Sequence, residues 1–153
     1  MLDSHYDVLI NDVTLTNLLE GGIYDQAIHN EISKIDTPDA FDPATEELLP
    51  CALFKVSIGV PVPNVYQGAT RTELEVYLYQ RNQYTVVQQA ASRIYQLWHD
   101  QIIVPTNPDH QVWRTLFLNE VPNGKEDVLR CNVHLVRYNV YWHRFGAVSN
   151  CGE

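Results

Sequence analysis

TRTELEVYLYQRNQYTVVQQAASRIYQLWHD, residues 70–100, contains the change of period that decides the fold. From Thr70 to Gln80 the period is two: Leu74, Val76 and Leu78 share one side of a strand, and Glu73, Glu75, Tyr77 and Tyr79 share the other. From Gln83 to Asp100 the period becomes helical. Val86, Val87, Ala90, Ile94, Leu97 and Trp98 form one apolar stripe, while Gln88, Gln89, Ser92, Arg93 and Gln96 face away. A strand running directly into an amphipathic helix places that helix on the apolar face of a sheet.

Reading outward from this unit, Cys51–Val60 (CALFKVSIGV) is a strand stopped by Gly59 and the turn Pro61-Val62-Pro63-Asn64. After a loop spanning Pro105 to Pro108, Val112–Val121 is a third strand, Pro122-Asn123-Gly124 a turn, and Val128–Arg144 a long fourth strand. In the fourth, Leu129, Cys131, Val133 and Leu135 alternate inward, and from Val136 the apolar phase passes to Tyr138, Val140 and Trp142; a bulge or bend is the expected cause. Tyr6–Leu19 has mostly helical apolar spacing and is followed by the stop Gly21-Gly22. Residues 23–50, broken by Asp36-Thr37-Pro38, Asp42-Pro43 and Leu49-Pro50, read as an acidic loop, with room for a short helix over 23–33.

The expectation is therefore one domain over 1–153: helix 6–20, acidic loop 23–50, sheet and helix core 51–145 and a short tail 146–153. Loops too short for a parallel crossover make each strand pair antiparallel. The fold class is α+β, an antiparallel or mixed four-stranded sheet with helices packed on one face, in the order α-β-β-α-β-β.

Composition narrows the function. The 153 residues are 45 % apolar and 19 % charged, as in an ordinary globular chain that buries its own core without metal or disulfide. Residues 1–50 hold eleven acids against the single base Lys34, a net of −10, and the rest of the chain is near neutral at +1. Nucleic-acid gripping needs clustered Lys and Arg, so the charge distribution argues against it and suits a surface that DNA slides past. The opening MLDSHYDVLINDV has Asp3, Asp7 and Asp12 where a signal peptide needs basic residues, and no apolar run reaches membrane-span length, so neither export by signal nor membrane insertion is expected. Cys51, Cys131 and Cys151 form no CxxC pair and are expected as reduced thiols.

No HExxH, GxSxG, Walker or GxGxxG motif occurs, and neither metal nor cofactor is expected. His99-Asp100 closes a helix, where a histidine interacts favourably with the dipole. His134 and His143 would sit roughly 25 Å or more apart on an extended strand, too far to share a metal, and His110 lies in a Pro-rich loop. Glu73 and Glu75 lie roughly 7 Å apart as same-face neighbours, within the inverting-glycosidase range, yet one strand supplies both and implies no cleft between them. With Tyr77 and Tyr79 they read instead as a candidate oligomer or lumen face, since large amphipathic rings on a half-exposed sheet are favoured at protein contacts.

Taken together, VLINDVTLTNLLEGGIYDQ, ELLPCALFKV, the strand-helix unit quoted above and DVLRCNVHLVRYNVYW resemble the tail-terminator (tail-completion) proteins of tailed bacteriophages, over roughly residues 6–142. The resemblance rests on hydrophobic pattern, element order and a few phrases. It implies a non-enzymatic virion protein of compact α+β fold, without catalytic residues. It further implies a homo-oligomeric ring, a hexamer, that caps the tail tube, stops its polymerisation and joins it to the neck, having been assembled in the host cytoplasm. Its partners would be the tail tube protein and a neck or connector protein, with DNA passing through unbound and no membrane involved. On this reading Glu73/Glu75 or residues 36–47 repel DNA, and the Pro-rich loops 61–69 and 105–110 contact the tube.

Three alternatives remain open at this level: a neck or connector (head-tail joining) subunit; a small hydrolase using Glu73 or Glu75 with His99 or His134; and a module binding a host protein through its acidic loop.

Overall fold

Leu74, Val76 and Leu78 are completely buried, which puts β3 (Ala69–Gln80) at the centre of the sheet. The computed structural model describes residues 3–62 and 69–144. In it, β3 pairs antiparallel with β2 (Cys51–Pro61) on one side and with β5 (Cys131–Arg144) on the other. β4 (His110–Glu126) extends the sheet from β5, and β1 (Ile23–Asp25) runs parallel to β2, giving the order β1-β2-β3-β5-β4. The fold is α+β as expected, but the sheet has five strands instead of four. β1 lies within the segment expected to be loop, and three residues are too few to reveal a period.

One face carries α1 (Asp3–Ile10), α2 (Val13–Leu18) and α3 (Thr85–Trp98). The α3 stripe buries Val87, Ala90, Ala91, Ile94 and Trp98 against Phe54, Leu74, Val76, Val136, Tyr138 and Val140 from three strands. The expected single helix over 6–20 is instead two, broken at Asn11-Asp12. Asp12 takes an extended conformation, its Oδ2 accepts from Leu15 N at 2.9 Å, and Arg93 of α3 donates to both carboxylate oxygens at 2.9 and 2.7 Å. A short acid that caps the following turn competes with continuous helix, and this one also pins α2 to α3.

The start of α3 depends on β3. Tyr84 at the cap position makes no side-chain bond to the helix, and Gln80 supplies one from a distance: its Oε1 accepts from Val86 N at 2.9 Å and Val87 N at 3.3 Å. Replacing Gln80 by Ala is expected to lower stability by about 1–2 kcal/mol, because a buried helix-start donor loses its partner. Thermal melts of the variant and the parent check this, and an unchanged midpoint contradicts it.

The second face corrects two expectations. Residues 26–50 are not a free loop. They carry a 3-10 turn at Pro38–Ala40 and a bridge between Phe41 and Leu48, and they bury Ile32, Ala40 and Leu48 against Cys51, Leu53, Tyr79 and Cys131 of the sheet. The short helix suggested over 23–33 is absent; β1 and a series of turns take its place.

The phase change in β5 likewise has a different cause from the expected bulge. β5 keeps one unbroken register with β3, from Asn132 opposite Gln80 to His143 opposite Ala69. Cys131 and Val133 face the 26–50 segment and Leu135 lies on the same side of the strand, opposite Tyr77, whereas Val136, Tyr138, Val140 and Trp142 face the helices. Two cores on opposite faces thus replace one bend. β2 has one bulge against β3, between Val56 and Gly59, and β4 has three against β5, at Val112/Arg114, Phe117/Asn119 and Val121/Gly124. The last of them absorbs Pro122-Asn123-Gly124, which was expected to be the turn between strands; on an edge strand the missing proline N–H is tolerated, and the chain reverses at residues 127–130 instead.

Candidate assembly surface

The register sorts the molecule into two ends. At one, Pro61, Ala69, Gln111 and His143 lie close to a common row, so the strand ends leading into both Pro-rich loops emerge together. Residues 63–68 of the first loop and 145–153 of the tail, including Cys151, lie outside the described residues. At the other end are Cys51, Tyr79 and Val133, where the acidic segment packs. Asp36, Asp39, Glu46 and Glu47 are exposed there, with Lys34 bonded to Glu46 at 3.3 Å and Arg81 paired with Glu47.

The four residues singled out on β3 do share one side, opposite the helices. Tyr79 is 8 % exposed and is covered by the chain's own 26–50 segment. Tyr77 stacks on it, ring centroids 6.4 Å apart, and donates its hydroxyl to Glu75 Oε2 at 2.8 Å. Burial, reinforced by that carboxylate, pushes the Tyr77 hydroxyl up to about 12. Lys55 of β2 places its ammonium 4.8 Å from the Tyr77 ring centre. Arg137 of β5 lies 3.3 Å from Glu73 and 3.9 Å from Glu75. The cluster is therefore charge-balanced, two acids against two bases, where sequence reading saw a bare acidic strand; the cross-strand bases Lys55 and Arg137 were legible only through register.

The residues of the hydrolase alternative do not meet. His134 pairs with Leu78, on the helix face, and its Nε2 lies 2.9 Å from Glu120 Oε2. It lines a groove of about 600 Å³ between α3 and β4/β5, together with Tyr95, Phe117 and Tyr138. His99 closes α3, stacks on Tyr95 at 4.4 Å and accepts the Phe117 N–H on Nδ1 at 3.0 Å, so its ring ties helix to strand. Glu73 and Glu75 lie across the sheet from both histidines. Burial raises the Cys51 thiol well above its ordinary range and pushes Cys131 up to about 12, leaving both as unreactive core groups. Among the described residues no cluster of His, Cys, Asp or Glu has the arrangement to hold a metal ion, and no helix is long and apolar enough to cross a membrane.

Sequence reading also missed two apolar edges. Val56, Ile58 and Val60 on β2 are 43, 72 and 40 % exposed, and Ile102 and Val104 after α3 are 69 and 79 % exposed. Their signal was present: β2 keeps alternating apolar residues past the point where its neighbour β1 stops.

No family model and no curated protein matches the sequence. In structure the chain is similar to one from the virion of a native gene transfer agent particle, with a TM-score of 0.64 and 9 % identity over 94 % of each chain. That likeness shows a shared fold.

Proposed function

We propose that this protein is a non-enzymatic structural subunit of a phage-type virion. Within the particle it acts as a tail terminator: a homo-oligomeric ring, a hexamer on the reading above, that caps the tail tube and joins it to the neck. The observation that supports this best is the end-to-end likeness to a chain of a gene transfer agent virion, covering 94 % of both chains. It agrees with a resemblance drawn independently from sequence phrases over residues 6–142.

The polarity of the molecule suits that work. Terminating a polymer needs one end that binds the tube and another that does not. The end bearing the two Pro-rich loops is the proposed tube contact, and the acidic end built from residues 26–50 faces the neck. Glu73, Glu75 and Tyr77 line the ring interior or its lateral contact, where Lys55 and Arg137 hold them in place and leave no net charge to grip DNA.

The test is loss of function in the producing phage. Without a working copy, tails are expected to polymerise past their normal length and to remain unattached to capsids, as scored by electron microscopy. Tails of regular length left unattached would instead assign the subunit to the neck connector, and normal joined tails would end the structural reading.

A further inference from the structure

The sheet ends in two edges of different character. On the β4 side the edge is blunted: Thr115 exchanges backbone bonds with Asp100 and Gln101, Phe117 N is held by His99, and three bulges interrupt the strand. On the β2 side, β1 covers only Ala52–Phe54, and among the described residues no strand pairs with the outer side of Val56–Pro61. That free stretch exposes Val56, Ile58 and Val60; a register shift between Val56 and Gly59 sets Val56 opposite Leu74 on the helix face and Val60 opposite Arg71 on the other, with Ile58 the most exposed of the three. Natural proteins guard such an edge with charge or cover unless it is used.

A matching surface lies at the opposite side of the same sheet. Beyond the Gln101–Thr115 bridge the chain turns Ile103 into the core and leaves Ile102 and Val104 outside. Between this strip and α1 is a shallow depression of about 470 Å³, lined by Asp7, Val8, Ile102 and Val104 among others. Charge separates the two surfaces. Residues 48–72 contain no acid; with Lys55 and Arg137 set against Glu73 and Glu75, Arg71 is the cation that remains on this stretch. Around the depression, neither residues 1–18 nor 101–113 contain a Lys or Arg; Asp7 borders it and Asp109 follows it.

From this juxtaposition we infer that the occupant of each surface is a second copy of this chain, the free β2 edge of one subunit seating Ile58 at its bulge on the Ile102–Val104 strip and α1 depression of the next. Opposite charge steers the approach and fixes which edge meets which. The contact joins two different patches, so it is heterologous; repeated, it closes into a ring when the rotation between copies permits. The inference rests on the ring reading above and assigns its subunit interface.

The experiment is native mass spectrometry of the full chain over a concentration range, using Ile58→Glu and Ile102→Glu singly and mixed. Both side chains are largely exposed, so circular-dichroism melts are expected to match the parent; if either shifts, Ile58→Ser and Ile102→Ser repeat the measurement at lower disruption. The parent is expected to form closed rings. Each variant alone stays monomeric, with association weakened at least roughly tenfold, a loss typical of an acid placed in an apolar contact. Mixed, they form a one-to-one dimer that grows no further, because each retains the one surface the other lacks. Rings that persist in both variants overturn this interface and leave the ring reading standing. Loss of assembly in Ile58→Glu alone also overturns it, since the partner surface is then not the 102–104 strip. A parent that is monomeric at every concentration defeats the interface and the ring together.

Discussion

Replacing Trp98 by alanine is expected to cost about 3–5 kcal/mol of stability, the range for removing a fully buried tryptophan. The side chain is 0 % exposed and sits where α1, β2 and β5 meet α3. Its ring packs edge-on against Tyr138 at 5.2 Å, His5 at 5.7 Å and Phe54 at 6.0 Å, and its Nε1 donates to the His5 carbonyl oxygen at 3.2 Å. The substitution therefore leaves a cavity and removes a buried hydrogen bond in the same place. In a chain of this size each kcal/mol moves the midpoint by about 2–4 °C, so the melt is expected to fall by roughly 10 °C. Ile35→Ala, at a side chain 91 % exposed, is the control and should stay within about 0.5 kcal/mol of the parent. A Trp98→Ala melt within a few degrees of the parent would show that the helix layer is not anchored here.

Trp98 was legible from sequence, and the reason is periodicity. Val87, Ala90, Ile94 and Trp98 recur at helical spacing over about three turns, and Leu74, Val76 and Leu78 at strand spacing just before them, so the core they build together follows from local pattern. Where the reading failed, the cover was non-local. Cys131 and Val133 differ in phase from Val136 because a second core forms beneath residues 26–50, and that segment has no period of its own to announce burial. Its anchors, Ile32, Ala40 and Leu48, are widely spaced among acids and prolines. The same blindness applied to the candidate surface: Glu73 and Glu75 looked like a bare acidic face because Arg137 lies 62 residues later in the chain and only the β3/β5 register brings it opposite them. Pattern reveals what an element buries against its own period, and register reveals what a distant strand brings to it.

Acid is expected to destabilise the fold through His5. This side chain on α1 is completely buried, its Nε2 is 2.8 Å from Thr115 Oγ1, and Trp98 lies against its ring, so nothing nearby compensates a positive charge. Burial lowers its pKa from 6.5 to about 4. Because the folded state holds the neutral ring more firmly than the unfolded chain does, the stabilisation is fully present above pH 6.5. It is lost as the pH falls from 6.5 towards 4, where the unfolded chain binds a proton that the folded protein resists. A difference of this size amounts to about 3 kcal/mol between pH 7 and pH 4, a sizeable share of a stability of about 5–15 kcal/mol. Denaturant titrations of the parent and of His5→Gln at pH 7, 6, 5 and 4 isolate the contribution, since the other titrating groups are common to both proteins. The parent should lose about 3 kcal/mol more than the variant over that window, and its His5 ring resonances should titrate near pH 4 in NMR. Parallel pH profiles, or a ring that titrates near 6.5, would mean that α1 opens readily enough for water to reach His5, and that the helix layer is a looser lid on the sheet than its packing against Trp98 and Thr115 implies.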